Sequence, residues 1–451
     1  MSLSPKTQIL ILGGGFAGLH AAMHLDETLA RDPNVDITLI NRDNFFLFTP
    51  MLHEVAASDL DLSNIVNPVR QLLRRVGFFA GEVEAIDLER KQVRVSHGFN
   101  HHHHDLRYDH LVIGLGSITN FFDLPGLADR ALTMKSLGDA INVRNRLIAL
   151  LEEADTECAA DLRSRLLTFV VAGGGFAGVE TVAAVNDFVR HAVRFYSNLR
   201  EGMLRVVLVH SGSAILPELG EELGRYAQKQ LEKRKVEIRV TTRVSGLSER
   251  GVKLSTGEMI ETEALIWTAG ISPNPVLLTL PCEKEHGRLR VDEKLQVPHW
   301  SGVWALGDCA LIPDIKTGNY QPPTAQHALR EGKTLAHNLI AAVRGGTMKP
   351  FSFSTIGQLA AIGQRAGVAR IFGVNFSGFT AWWLWRTIYL SKLPRFEKKL
   401  RVALDWTLDL MFGKDLVQFQ TFRAPTLSMK EEAIESQPVA DQHNTRKGDW
   451  S

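Results

Sequence analysis

The chain has 451 residues, 45% of them apolar and 22% charged, and a formal net charge of +1. That is more chain than one hydrophobic core accommodates, so two or three ordinary globular domains are expected, and the near-neutral charge gives no global attraction for nucleic acid. The three cysteines, Cys158, Cys282 and Cys309, stand far apart with no C-x-x-C pair, which excludes a disulfide framework and a thiolate metal site and suits a reducing compartment.

The first strand is expected from about residue 8, with no basic and apolar leader before it, so no secretory signal is expected. The run Gln8 to Leu12 reads as a buried parallel strand. It turns on Gly13, Gly15 and Gly18 at G-x-G-x-x-G spacing and enters a helix through Phe16 and Ala17. Gly13 permits the tight turn, Gly15 lets backbone approach a pyrophosphate, and Gly18 lets helix pack closely on strand. The helix N-terminus then offers free N–H groups to phosphate. The next strand, Val35 to Ile40, ends on Asn41 and Arg42 where a dinucleotide fold usually places an acid for ribose hydroxyls. Asn41 can still hydrogen-bond a hydroxyl. Arg42 is either a neighbour of adenine or phosphate, or a solvated loop charge.

Phe45 to Pro50 is an aromatic run that serves as core or as a wall beside an aromatic cofactor ring, and a short helix through His53 and Glu54 follows. Between about 78 and 112 the chain alternates as short strands, and His101 to His104 read as an exposed loop tip rather than a metal site. Leu111 to Ser117 is another strand ending in glycines, with Gly116 a point of close backbone approach. An amphipathic helix spans Ser136 to about Glu153.

Phe169 to Glu180 then repeats the first motif, down to the same GGGFAG hexad, with Gly173, Gly175, Phe176, Ala177 and Gly178 in the corresponding places. A motif that recurs this closely marks a second dinucleotide site. Its second strand, Leu204 to Val209, ends on His210 and two serines, again without the acid, which leaves NADPH open beside NADH. A helix is expected over about 218–233, a strand over 236–240, a hairpin at 255–258, and a strand with a glycine turn at Gly270. The strand from Gly302 ends at Gly307 and Asp308, an acid placed to accept from sugar or ribityl hydroxyls. Pro322 and Pro323 set the start of the helix that begins near Ala325 and Gln326.

With two GGGFAG units, the Gly307-Asp308 turn and the Thr324-Ala325-Gln326 helix start, the chain resembles the two-dinucleotide-binding-domain flavoproteins. Phe48-Thr49-Pro50 with His53-Glu54, Pro323 to Gln326 and a Trp-rich C-terminal region make it most similar to the type II NADH dehydrogenases, which are NADH:quinone oxidoreductases. The resemblance runs from about residue 8 to about 425. It implies an α/β fold with two Rossmann-like, glutathione-reductase-like domains and a C-terminal membrane-docking region. The implied divisions are an FAD-binding domain over 1–124 and 288–350, an NAD(P)H-binding domain over 125–287, a membrane-interface region over 351–425 and a disordered tail over 426–451. FAD would occupy the first unit, with Thr49, Val83, Gly116, Gly307, Asp308 and Ala325 joining the first glycine turn. NADH would occupy the second, with NADPH left open. Gln326 would sit at the quinone end, where Arg330 replaces the final glutamine of the family's A-Q-x-A-x-Q pattern. Glu180 matches a family glutamate implicated in proton delivery; a helix-N-terminal acid favoured by the dipole is its other reading.

The expected activity is non-proton-pumping transfer of two electrons from NAD(P)H to quinone. A sulfide:quinone reductase wants a redox cysteine late in the chain, and none follows Cys309. A nucleotide-binding sensor or scaffold would differ by lacking turnover. Phe376, Phe379, Trp382, Trp383, Trp385 and Tyr389 crowd one helix-like stretch, followed by Lys392, Arg395, Lys398, Lys399 and Arg401, then by Leu400, Ala403, Leu404, Trp406, Leu410 and Met411 at helical spacing. Indoles beside cations suit a helix in the membrane interface over about 376–412, hence a peripheral protein on the cytoplasmic face of the cell membrane. A buried helix pair or a homodimer contact is the alternative. The stretch from Ile371 to Leu390 carries Asn375 and Arg386 and is not read as a span.

Overall fold

The computed structural model describes residues 6–409, 411–412 and 414–419. The expected tail over 426–451 and the placement of Leu410 lie outside the described residues. In chain order the main elements are strand β1 (Thr7–Leu12), helix α1 (Phe16–Glu27), strand β2 (Val35–Asn41), helix α2 (Leu52–Ala56), and strands β3 (Gly77–Ala80), β4 (His110–Ile113) and β5 (Leu132–Thr133). Helix α3 (Leu137–Thr156), strand β6 (Thr168–Ala172), helix α4 (Phe176–Ala192), strand β7 (Arg205–Val209), helix α5 (Glu221–Lys233), and strands β8 (Val236–Arg239) and β9 (Ala264–Trp267) come next. Strand β10 (Val303–Ala305) and helices α6 (Ala325–Arg344), α7 (Gly378–Lys392) and α8 (Phe396–Asp409) complete them.

Two five-stranded sheets share the order of four strands and differ in the fifth, an edge strand that comes last in the chain in the first sheet and first in the second. The first is ordered β10-β4-β1-β2-β3 and the second β5-β9-β6-β7-β8, with neighbours parallel throughout. In each, the strand that feeds a GGGFAG turn is central, its successor lies on one side and a later strand on the other. Helices cover such sheets on both faces, which is why the central strands read as unbroken apolar runs. Ile9, Ile11, Leu12, Phe169, Val170 and Val171 are accordingly sealed from solvent. Helix α6 lies against α1, and the approach is close enough that a side-chain carbon on Gly332 would meet the Ala17 carbonyl at 2.6 Å. Ser136 caps α3 in a capping box with Asp139.

Three expectations are corrected by the fold. His102, His103 and His104 belong to a strand, His102–Arg107, paired with Gln92–His97; the turn is at 98–101. Cross-strand ring contacts give the physical reason: His97 stacks on His104 at 4.7 Å, so imidazoles behave as flat β-surface residues there. Phe376 is on a strand, Val374–Ser377, within a three-stranded antiparallel sheet (Gly357–Ala361, Gly367–Ile371, Val374–Ser377) that precedes α7. The tryptophans and cations of α7 and α8 also divide between two faces. Trp385 and Trp406 are buried, and Lys398 donates inward to the Ser63 carbonyl at 2.5 Å. Phe379, Trp383, Phe396, Leu400, Leu404 and Leu408 face outward. The last four recur every fourth residue and so form one exposed apolar stripe on α8. Among the described residues, no helix is long and apolar enough to cross a membrane.

Candidate functional site

Each GGGFAG turn is built by backbone contact. Gly13 and Gly173 adopt φ of +98° and +118°, a region that strongly favours glycine. A side-chain carbon on Gly18 would fall 2.0 Å from the Gly13 carbonyl oxygen, and one on Gly178 1.8 Å from that of Gly173. By contrast, nothing lies within 4 Å of such a carbon on Gly15. The first turn thus closes tightly on itself and stays open where a phosphate would approach, a cradle that fits a dinucleotide; at Gly175 of the second, Glu218 Oε1 lies 3.8 Å from such a carbon. Phe16 packs edge-on to Phe46 at 5.0 Å and beside Phe48 at 5.8 Å, so the aromatic run is core at Phe46 and Phe48.

Asn41 and His210, the residues at the two strand ends, do the same local work. The Gly14 N–H donates to Asn41 Oδ1 at 2.8 Å, and Asn41 Nδ2 donates to the Asp43 carbonyl at 2.7 Å. The Gly174 N–H donates to His210 Nδ1 at 3.1 Å, and burial lowers the His210 pKa, keeping that nitrogen an acceptor. Both side chains therefore brace the glycine turn. Asn41→Ala leaves Gly14 N–H without its acceptor and is expected to cost about 1–3 kcal/mol, read as a lower Tm of the purified protein. Arg42 is exposed and pairs only loosely with Asp43, 3.8 Å away, as a solvated loop charge would.

The Gly307-Asp308 turn follows β10 and meets the first unit at Ala17, whose Cβ is 3.2 Å from a side-chain carbon built on Gly307. Asp308 accepts from Ser117 Oγ at 2.6 Å, and Lys135 Nζ donates to the same hydroxyl at 2.7 Å. Glu331 accepts from the Gly307 N–H at 2.8 Å, and burial pushes its carboxyl up to about 7. Neither Lys135 nor Glu331 carried a sequence signal. Gly116 has φ +67° and open space around it. Thr49 is exposed ahead of α2, and Val83 lies in the adjoining three-stranded sheet, paired with Val95. Gly270 sits against Asn120 and Phe122 after β9. Ala325 opens α6. Gln326 donates to the Gly357 carbonyl at 3.2 Å and its own carbonyl accepts from Arg330 at 2.7 Å, with the guanidinium 4.0 Å from the Phe353 ring. Arg330 therefore lies beside Gln326.

Glu180, the fifth residue of α4 and thus just past its first turn, is buried. Its Oε1 accepts from Trp385 Nε1 at 2.9 Å and from the Ala361 N–H at 3.1 Å, while His53 Nδ1 stands 3.8 Å from Oε2. Burial pushes its carboxyl up to about 8 against the two hydrogen bonds, and the charge of Glu54 pushes the same way. Glu180 is thus a neutral acid at pH 7, able to give a proton. Tyr389 packs on Trp385 at 4.8 Å and on Phe48 at 6.1 Å, so this acid, the aromatic run and α7 form one packed wall. A separate cavity of about 310 Å³ lies at the opposite ends of α4 and α5, among charged residues including Arg190, Arg194 and Lys233, away from this wall. Among the described residues, no group of three or more His, Cys, Asp or Glu is placed to hold a metal ion.

Residues 7–332 match the pyridine nucleotide-disulphide oxidoreductase family, and residues 356–415 match the NDH2 C-terminal domain. The chain is 31% identical over 420 residues to a probable NADH dehydrogenase of Dictyostelium discoideum, covering 91% of both chains. It is 30% identical over 422 residues to the type II NADH:quinone oxidoreductase Ndh of Mycobacterium tuberculosis, covering 90% of this chain and 88% of that one. In fold it is similar to NDH2 from Plasmodium falciparum solved with NADH, with a TM-score of 0.86 and 20% identity over 91% of this chain and all of the other.

Proposed function

The chain belongs to the type II NADH:quinone oxidoreductases of the pyridine nucleotide-disulphide oxidoreductase family, transferring electrons from NAD(P)H to quinone, and from that premise we propose which residues carry the transfer. FAD sits on the first glycine turn, with Asp308, Ala325, Thr49, Val83 and Gly116 around it, so residues 1–124 and 288–350 form its domain. The nicotinamide nucleotide sits on the second, within 125–287. When bound, FAD would supply the hydride-accepting and two-electron chemistry. The protein's part is to hold the two rings in contact, an orientation effect, and to supply a proton from Glu180 to the quinone, with Gln326 at the quinone end. The observation that carries this reading is the duplicated unit with a neutral buried acid, Glu180, near the start of the second unit's helix. Steady-state turnover with NADH and NADPH in parallel against a short-chain quinone tests it; His210 sets no negative charge against a 2′-phosphate.

Quinone enters from a membrane on which the outward faces of α7 and α8 rest, at the cytoplasmic side. Each large apolar side chain withdrawn from water contributes about 2 kcal/mol. Changing Phe379, Trp383, Leu400 and Leu404 to serine is therefore expected to weaken sedimentation with anionic lipid vesicles at least about a hundredfold while flavin reduction by NADH persists. Unchanged vesicle binding with loss of a homodimer would assign the face to self-association.

A further inference from the structure

A second buried acid stands behind Glu180. Glu54, on α2, is 7% exposed, and Trp406 of α8 donates its indole N–H to Glu54 Oε2 at 3.2 Å. Each C-terminal helix thus gives one indole N–H to one buried carboxyl, and the two indoles lie 6.3 Å apart. His53 joins the acids: it precedes Glu54 on α2, lies 3.8 Å from Glu180 and packs edge-on to Trp385 at 5.6 Å. The charges of Arg386 on α7, of Asp59 and of Lys414 act on Glu54. Lys414 and Asp59 form an ion pair, and the Asp59 side chain keeps 16% of its surface in solvent. One of the charged groups that act on Glu54 thus reaches water, and His53, the chain neighbour of Glu54, reaches Glu180.

Resting on the electron-transfer reading above, we propose that Glu54 is the proton reservoir of Glu180, refilling it through His53 and being refilled from water at the Asp59–Lys414 pair. Proton bookkeeping leaves room for one such route. Reducing quinone to quinol takes two electrons and two protons; NAD(P)H supplies both electrons and, with the hydride, one proton. The second proton comes from water, and it is the one this route carries. The environment suits the task. Burial pushes the Glu54 carboxyl up to about 8, so it stays protonated at neutral pH. Burial and the nearby Lys414 charge push His53 down to about 3, leaving a neutral ring with one donor and one acceptor nitrogen, which can pass a proton without resting as a cation. The charge of Glu54 also disfavours ionisation of Glu180, so the titration of one bears on that of the other. Glu54 acts through Glu180 and is a positioning residue.

The test uses the flavin-loaded full chain as wild type, Glu54→Gln and Glu54→Asp. Glutamine keeps an acceptor for Trp406 but holds no exchangeable acid proton. In rapid mixing, E54Q should be reduced by NADH within about twofold of wild type yet reoxidised by a short-chain quinone about tenfold or more slowly, with E54D recovering most of the loss. Infrared titration of the carboxylic C=O band gives a readout independent of turnover: with one negative neighbour removed, Glu180 should lose its proton at lower pH in E54Q than in wild type. If E54Q reoxidises at the wild-type rate and Glu180 titrates where it did, the proposal is overturned. Should E54Q fail to take up flavin, E54D decides: an aspartate that restores neither rate nor titration also overturns it. A wild type whose NADH-reduced flavin is not reoxidised by quinone would contradict the electron-transfer reading instead, and the infrared coupling would still report on the acid pair.

Discussion

Gly18→Val yields a colourless protein, while Gly178→Val yields a yellow one that NADH no longer reduces at ordinary concentrations. The two glycines hold the same place in two copies of one unit, and in both a side-chain carbon would land about 2 Å from a backbone carbonyl, at 2.0 Å for Gly18 and 1.8 Å for Gly178. The obstruction is main chain on both sides, so it cannot be relieved by a rotamer change. Helix α1 or α4 has to move off its strand, and the row of N–H groups at its start leaves the phosphate position. Overpacking of this kind costs on the order of 1–3 kcal/mol, which lowers nucleotide affinity up to roughly a hundredfold. Because each turn belongs to its own sheet, the damage stays local. Absorbance of the purified variants reads the first loss, and the NADH concentration needed for half bleaching reads the second. Loss of yellow colour in G178V with retention in G18V would reverse the assignment of the two sites.

Glu180→Gln slows quinone-dependent turnover by about 10²- to 10³-fold and leaves flavin reduction by NADH nearly intact. The glutamine can still accept from Trp385 and Ala361 but has no acid proton to give. The wild-type pH profile carries the same signature. The donor is the protonated form, present below about 8, so the quinone step falls as pH rises through that value, and the fall disappears in the variant. Linkage fixes a second sign. The folded carboxyl titrates near 8 against an ordinary 4.5, so the folded state binds the proton more tightly. Its contribution to stability is fully present below 4.5 and lost as pH climbs to 8. The variant should therefore gain stability relative to wild type above pH 8, measured by urea midpoint across pH.

Much of the fold is legible in the sequence. Apolar runs into identical glycine turns announced both central strands, because that spacing has few other physical uses. The resemblance singles out Glu180, and its proton role is the proposal made above. What was not legible came from long-range contact. The bracing role of Asn41 and His210 depends on a side chain reaching back 27 or 36 residues to a glycine N–H, which no local pattern encodes. Trp385 and Trp406 looked like lipid-facing indoles because helical spacing alone does not say which face is covered; their partners, Glu180 and Glu54, lie 205 and 352 residues away. The histidine tract reads as a loop in composition, and only its pairing with Gln92–His97 makes it a strand.

One anaerobic titration bears most directly on the central claim. Purified protein supplied with FAD is reduced with a single equivalent of NADH and then mixed with a short-chain quinone while its visible spectrum is recorded. Bleaching by NADH followed by full return of the yellow band on quinone addition is the predicted course. A protein that binds no flavin, or one that stays bleached in the presence of quinone, would contradict it.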